Sequence, residues 1–273
     1  RPEIFDGYSE AVSEVGGFSV TITGEHRLYL IEAAQKGIQW MKLTAKGTAG
    51  HGSFINQDNA VTKISDAVAR IGAYEWPQLE TKTSNFFFRK IAELTGDKYD
   101  PKNFKPLLRH LGDAVRMLGA TISNTANPTM LEAGYKVNVI PQSASAMVDG
   151  RFLPGHENQL QETIKKLAGD EIEIEILTRD IALEVEFAGP LVKAMCDAIS
   201  GEDSAGIPVP YLMSGGTDNK ALHDLGIVGY GFSPLKLPKD LDFFSLFHGV
   251  DERVPIDGLK FGVRVLANFL DNI

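Results

Sequence analysis

The sequence predicts an α/β fold in two parts: an α/β domain interrupted by an inserted, ferredoxin-like α+β domain. Three observations predict it. Residues 38–45 alternate apolar and polar side chains and lead into an amphipathic helix. A second helical pattern, Glu157–Ala168, is followed by Ile172, Ile174 and Ile176 separated by glutamates, a strand with one wet face. From Pro190 to Leu270, helical and strand patterns alternate, which suggests an α/β arrangement distinct from the preceding stretch.

The elements follow in chain order. Residues 18–23 set Phe18, Val20 and Ile22 against Ser19 and Thr21, a short strand, with the apolar run 28–31 as its hairpin partner. Residues 38–45 form the next strand and end in the loop Gly47-Thr48-Ala49-Gly50-His51-Gly52-Ser53. Asp58 or Asn59 caps a helix whose Ala60, Ile64, Ala67, Val68 and Ile71 share one face, and Gly72 stops it. Residues 77–119 hold a polar stretch, then Phe104, Leu107, Leu108, Leu111, Val115 and Leu118 on one helical face. Strands are expected at 121–127, 134–139 and 143–151, and Gly169 ends the helix Glu157–Ala168. Helices at 190–200, 219–225 and 257–270 then alternate with strands at 209–213 and 227–231. Residues 36 to about 180 thus read as a split βαβ sandwich with its helices on one face of an antiparallel sheet.

Composition narrows the class. The chain has 273 residues, 43% apolar and 23% charged, enough for one or two sizeable cores. A net charge of −9 argues against a nucleic-acid or anionic-membrane surface. No apolar run reaches the ~20 residues needed to cross a bilayer. Cys196 is the single cysteine, which excludes an internal disulfide, suits the cytoplasm and fits a small core residue better than a nucleophile. The opening Arg1-Pro2-Glu3 lacks an initiator Met and enters directly into a domain, so an N-terminal portion is expected outside this chain.

Several constellations can carry chemistry. Glu14, in Ser13-Glu14-Val15-Gly16-Gly17, can bring a carboxylate to a metal beside two small residues; alone it reads equally as an exposed Glu before a turn. His51 on its glycine loop can donate to a developing oxyanion or be an ordinary loop histidine. The loop lacks the lysine a phosphate loop requires. Asn138 occupies the polar face of its strand, and Arg151 can clamp a carboxylate bidentately or be a solvated edge charge. Ser214-Gly215-Gly216-Thr217-Asp218-Asn219 forms a turn into a helix, with amides for an anion and Asp218 or Asn219 as cap. Ser214 lacks the spacing of a hydrolase nucleophile. His248, in Phe247-His248-Gly249-Val250-Asp251-Glu252, can bind a divalent metal or sit hydrogen-bonded at the surface.

In this order and spacing, the stretches Glu14-Val15-Gly16-Gly17, Gly47–Ser53 with Asn59-Ala60, Asn138-Val139-Ile140-Pro141, Asp149-Gly150-Arg151, Ser214–Asp218 and His248-Gly249 with Glu252–Pro255 resemble the metallo-aminoacylase and carboxypeptidase superfamily. That superfamily includes aminoacylase, acetylornithine deacetylase, succinyl-diaminopimelate desuccinylase, carnosinase and glutamate carboxypeptidase. The resemblance implies a zinc-peptidase-like catalytic α/β domain, whose C-terminal part would be residues 1–35 and 182–273. It implies an inserted lid, residues 36–181, that pairs two subunits into a homodimer. It also implies two divalent metal ions, usually zinc, with cobalt or manganese accepted by the same ligands. Glu14 would bind one metal and His248 the other. His51 would reach the partner subunit's site and stabilise the oxyanion. Asn138 and Arg151 would hold the substrate, and Gly215, Gly216 and Thr217 would line its pocket. The implied substrates are small amides or dipeptides with a free carboxylate.

One departure limits the resemblance. The superfamily's H-x-D motif, bridging carboxylate and Glu-Glu pair are absent, and His110-Leu111-Gly112-Asp113 has the wrong spacing. With two metal ligands and no general base, this polypeptide by itself is expected neither to bind a metal pair nor to hydrolyse an amide. The expectation is therefore a metal-dependent amide hydrolase of which this chain is the C-terminal portion. The alternative is a catalytically dead binding or dimerisation module of the same fold.

Overall fold

The computed structural model describes residues 1–273. In chain order, strands β1 (Glu10–Ser13), β2 (Ser19–Ile22), β3 (His26–Gln35), β4 (Gly37–Lys46) and β5 (Gly50–His51) come first. Helices α1 (Ala60–Gly72), α2 (Lys82–Thr95) and the one-turn α3 (Val115–Leu118) follow. Next are β6 (Thr125–Ala133), β7 (Val139–Ile140), β8 (Ser143–Phe152), α4 (Glu157–Ala168), β9 (Ile172–Asp180) and β10 (Leu183–Glu184). The chain closes with α5 (Pro190–Glu202), β11 (Gly206–Met213), α6 (Asn219–Asp224), β12 (Val228–Gly231) and α7 (Ile256–Leu270).

These elements form two compact units. The first comprises Arg1–Lys36, Gln78–Ile122 and Leu183–Ile273, and the second Gly37–Pro77 and Ser123–Ala182. Residues 77–119, assigned on sequence to the insertion, therefore pack almost entirely with the first unit. The physical reason is apolar: Phe87, Phe88, Ile91, Phe104, Leu107 and Leu111 share one core with Leu28 and Leu30 of β3.

The first unit is built on a mixed six-stranded sheet around β3. β11 pairs parallel along one side of β3, while β2, β12 and β10 pair antiparallel with it in turn. β1 pairs parallel with β12 and ends the order β1-β12-β3. Successive β3 side chains enter opposite cores, because a strand alternates its faces. Leu28 and Leu30 join the α2 side, and Tyr29, Ile31 and Ala33 join α5 and α7. That explains why 28–34 reads as an unbroken apolar run apart from Glu32.

The second unit is a four-stranded antiparallel sheet, β6-β8-β4-β9, with α1 and α4 on one face. Met41, Leu43 and Ala45 of β4 and Ala144, Ala146 and Val148 of β8 point to those helices. Trp40, on the opposite face, is exposed. This is the split βαβ sandwich the alternation predicted. Asn59 caps α1 by accepting from the Val61 amide at 2.9 Å.

Three element assignments differ from the sequence reading. α2 was hidden in a polar stretch; a Thr81–Ser84 capping box starts it, and Phe87, Phe88, Ile91 and Ala92 form its buried side. Residues 105–114 form 3-10 turns where one α-helix was expected, because Gly112 departs from helical backbone at φ 54°. β6 begins at Thr125 and runs to Ala133, and the strand expected at 134–139 shrinks to Val139–Ile140 after Gly134 turns the chain at φ 67°.

Two glycines set a test of this packing. A Cβ on Gly231 would lie 1.8 Å from the Val15 carbonyl oxygen and 2.7 Å from Glu32 Cβ, whereas one on Gly201 of α5 would meet nothing within 4 Å. Urea denaturation is expected to show Gly231→Ala destabilised by roughly 3 kcal/mol or more, since backbone must move. Gly201→Ala is expected to gain about 0.5–1 kcal/mol.

Candidate functional site

In the first unit, the turns flanking Glu14 and Thr217 are both anchored on β3, around Glu32. Glu32 is fully buried. Its Oε2 accepts from Asn219 Nδ2 at 3.0 Å and from Gln35 Nε2 at 3.2 Å. Gln35 Nε2 also donates to Thr217 Oγ1 at 2.6 Å, and the Thr217 amide donates back to Gln35 Oε1 at 3.0 Å. Thr217 Oγ1 in turn accepts from the Asn219 amide at 3.2 Å. The hydroxyl of Thr217, rather than the expected Asp218 or Asn219 side chain, therefore serves the start of α6, and Asp218 is exposed without a capping bond. Gly215 and Gly216 complete this turn. Glu32 and Gln35 were missed as site residues. The signal available was a carboxylate set inside an apolar run, where burial is costly unless hydrogen bonds offset it.

Glu14 follows β1 directly and is exposed. The two glycines after it allow a close approach: a Cβ on Gly16 would fall 2.8 Å from the Glu32 amide nitrogen. Between them, Val15 adopts φ 66°, a genuine outlier for a β-branched residue. His248 is also exposed and adopts φ 57°. Only three non-glycine residues of the chain have positive φ; one is His248 and another adjoins Glu14. Such strain persists only where surrounding packing over-determines it, and it clusters at functional sites. The packing is visible. Phe18, just after the Glu14 turn, meets the rings of Phe243, Phe244 and Phe247 at centroid distances of 5.5, 5.5 and 6.4 Å. The Glu14 and His248 segments, remote in sequence, thus share one aromatic cluster.

In the second unit, the structure brings the His51 loop to Asn138. β5 and β7 pair His51 with Val139, and the Gly52 amide donates to the Asn138 carbonyl at 2.9 Å. The His51 ring is exposed, its Nδ1 lying 2.8 Å from Ser53 Oγ. Asn138 is exposed in the segment leading into β7, not within a strand. Arg151 lies in β8, where its Nε and Nη2 donate to the two Asp149 oxygens at 2.6 and 2.9 Å. Side chains two apart on a strand share a face. The bidentate partner anticipated for Arg151 is thus already supplied internally.

The donors present do not complete a two-metal centre. No group of three or more His, Cys, Asp or Glu side chains is placed to hold an ion. Glu14 and His248 offer one carboxylate and one imidazole, fewer than the three or four protein ligands a single zinc takes. Cys196 packs against the α5–α7 core, and burial pushes its thiol up to about 11, which makes it a poor nucleophile.

Burial pushes the Glu32 carboxyl up to about 8; hydrogen bonds from Gln35 and Asn219 oppose the rise, and the Glu14 charge adds to it. The folded chain therefore binds a proton that the unfolded chain releases near its ordinary value of 4.5. The resulting stability is present at low pH and lost as pH climbs from 4.5 to about 8, a loss on the order of several kcal/mol. Urea midpoints of the metal-free protein should fall across that window, and Glu32→Gln should flatten the fall. An equal slope in the variant would clear Glu32 of responsibility.

Comparisons with known proteins identify the family and the fold. Residues 33–174, just over half of the chain, match the family model of the M20 peptidase dimerisation domain. Over 266 residues the chain is 24% identical to the bovine (Bos taurus) N-fatty-acyl-amino acid synthase/hydrolase PM20D1, covering 89% of this chain and 50% of that protein. It is 26% identical to human (Homo sapiens) aminoacylase-1 over 242 residues, 85% of this chain and 49% of that one. The chain thus spans about half the length of the curated relatives it matches. Among solved structures, the M20 family metallo-carboxypeptidase Sso-CP2 from Sulfolobus solfataricus shares the fold at TM-score 0.66 and 16% identity, covering 99% of this chain and 64% of that one. The chain belongs to the M20 peptidase dimerisation-domain family.

Proposed function

We propose that this chain is part of a metal-dependent hydrolase that cleaves amide or peptide bonds in small substrates bearing a free carboxylate. N-acyl amino acids, dipeptides and succinyl-diamino acids are the candidate classes. The observation that carries the reading is the strained backbone at Val15 and His248, beside and at the two metal-ligand candidates, in segments that share the Phe18 cluster. Because the donors are too few here, the general base and remaining ligands would come from polypeptide beyond these 273 residues. The length of the relatives supports that.

Within this reading, Glu14 and His248 each supply one metal ligand, the metals being two divalent ions such as zinc. His51, placed on a loop braced by β7, donates to the developing oxyanion, with Asn138 beside it. Arg151 recognises the substrate carboxylate with guanidinium donors not spent on Asp149. The turn Gly215-Gly216-Thr217, held by Gln35, lines the pocket. The second unit, Gly37–Pro77 with Ser123–Ala182, pairs two subunits in a homodimer.

The lack of a three-donor cluster favours a second reading, a dimerisation module without catalysis. The complete protein separates the two. As a hydrolase it should hold about two divalent ions per subunit and turn over an N-acyl amino acid or dipeptide. Glu14→Gln and His248→Gln should each lower metal content and cut kcat by about 10³-fold or more. His51→Ala should cut kcat by about 10²–10³-fold with metal content unchanged. Turnover by residues 1–273 alone would contradict the claim that essential groups lie elsewhere.

A further inference from the structure

A cavity of about 350 Å³ opens in the first unit, between the β2–β3 hairpin turn, the 3-10 turns at 109–114 and the segment 237–244. That volume is at the lower end of the roughly 300–1,000 Å³ typical of ligand sites. Neither Glu14 nor His248 lines it. Phe18 and Phe243, whose rings meet at 5.5 Å, form part of its apolar wall. Glu25, the third non-glycine residue with positive φ, at 64°, belongs to the hairpin wall.

One buried polar side chain in that wall is incompletely satisfied. The His110 side chain is only 9% exposed, and its Nε2 lies 2.7 Å from Asp97 Oδ2. The same oxygen accepts from Arg109 Nη2 at 2.6 Å. The bond from His110, with the Arg109 charge, holds the Asp97 carboxyl below its ordinary range. Asp97 is therefore an anion that accepts, Nε2 carries the proton, and Nδ1 of the neutral ring is a bare acceptor. Nδ1 is buried and no hydrogen bond reaches it. Asp97 is outside the cavity wall, so it grips the ring from behind. A buried imidazole nitrogen without a partner costs free energy that a hydrogen-bond donor would restore.

The charges around the cavity select the donor. Both cations are already engaged, Arg109 by Asp97 and Lys239 by Glu25. Two acids are not: Asp113 has no side-chain partner, and Asp242 spends only Oδ1, on the Ser245 amide at 3.3 Å. An anion would therefore meet carboxylates with no cation to spare. A metal ion would lack a third donor, since no three His, Cys, Asp or Glu side chains are placed to hold one. An ammonium group answers both features, with N–H donors for an imidazole acceptor and a charge for carboxylates and aromatic faces. We propose that this cavity binds a small organic primary amine in its ammonium form. His110 and Asp113 would recognise the ammonium, and Phe18 and Phe243 would carry the apolar body.

Calorimetric titration of the complete protein with benzylamine tests it. Saturable binding is expected, and benzyl alcohol, of the same shape without the charge, should bind about 10-fold more weakly or worse. Asp113→Asn, at an exposed position, should weaken benzylamine about 10-fold or more with an unchanged urea midpoint. His110→Phe, which removes the acceptor, should do the same; if that variant does not fold, Asp113→Asn decides. Glu14→Gln and His248→Gln should leave the affinity as it is. Absence of saturable binding, equal affinity for benzyl alcohol, or full affinity in either folded cavity variant would overturn the proposal. So would loss of binding in Glu14→Gln or His248→Gln, which would place the amine at the metal-ligand candidates.

Discussion

The burial of β3 on both faces is the constraint from which the first unit follows. Every side chain from Leu28 to Gln35 is withdrawn from solvent, odd and even positions feeding two separate cores. Such a strand must have its ladder filled along both sides, and β11, β2, β12 and β10 fill it. Once that framework exists, Glu32 has no route to water. Its carboxyl is held by Gln35 and Asn219 and stays largely protonated at neutral pH.

That one buried acid connects the pieces of the candidate site. Gln35 grips Thr217 from both its amide and its hydroxyl, so the Gly215-Gly216-Thr217 turn takes its shape from β3. Gly16 and Gly231 sit so tightly against Glu32 that neither tolerates a side chain, which brings the residues after Glu14 directly onto the strand. The left-handed backbone at Val15 and His248 costs about 1–3 kcal/mol per residue, offset by the aromatic cluster around Phe18. In the second unit the corresponding device is simpler. A two-residue pairing of β5 with β7 steadies the His51 loop, and the α1–α4 core holds the sheet that carries Arg151.

Periodicity and turn chemistry made the elements legible wherever one pattern dominated. The alternation of β4 and β8, the Asn59 cap of α1, and the Gly169 stop of α4 are local signals, decided within a few residues, whereas Gly72 stays inside α1 and Ala73 ends it. α2 was not legible, because its apolar residues sit among lysines and polar side chains and its start depends on the Thr81–Ser84 box. Asp218 or Asn219 was the expected cap of α6, yet the Gln35–Thr217 contact, made between residues far apart in sequence, selected Thr217 instead.

By itself the sequence determined the α/β class, the order β4, α1, β8, α4 and β9 in the second unit, and the motif set from Glu14 to His248 that resembles this family. These depend on side-chain spacing and on glycines at fixed places, which are properties of the covalent chain. Tertiary structure alone decided that residues 78–122 complete the first unit, that Glu32 is a buried acid, and that Arg151 is already engaged. Each of those is a question of what lies beside a residue in space. A linear pattern records the chemistry of a side chain and leaves its neighbours to the packing.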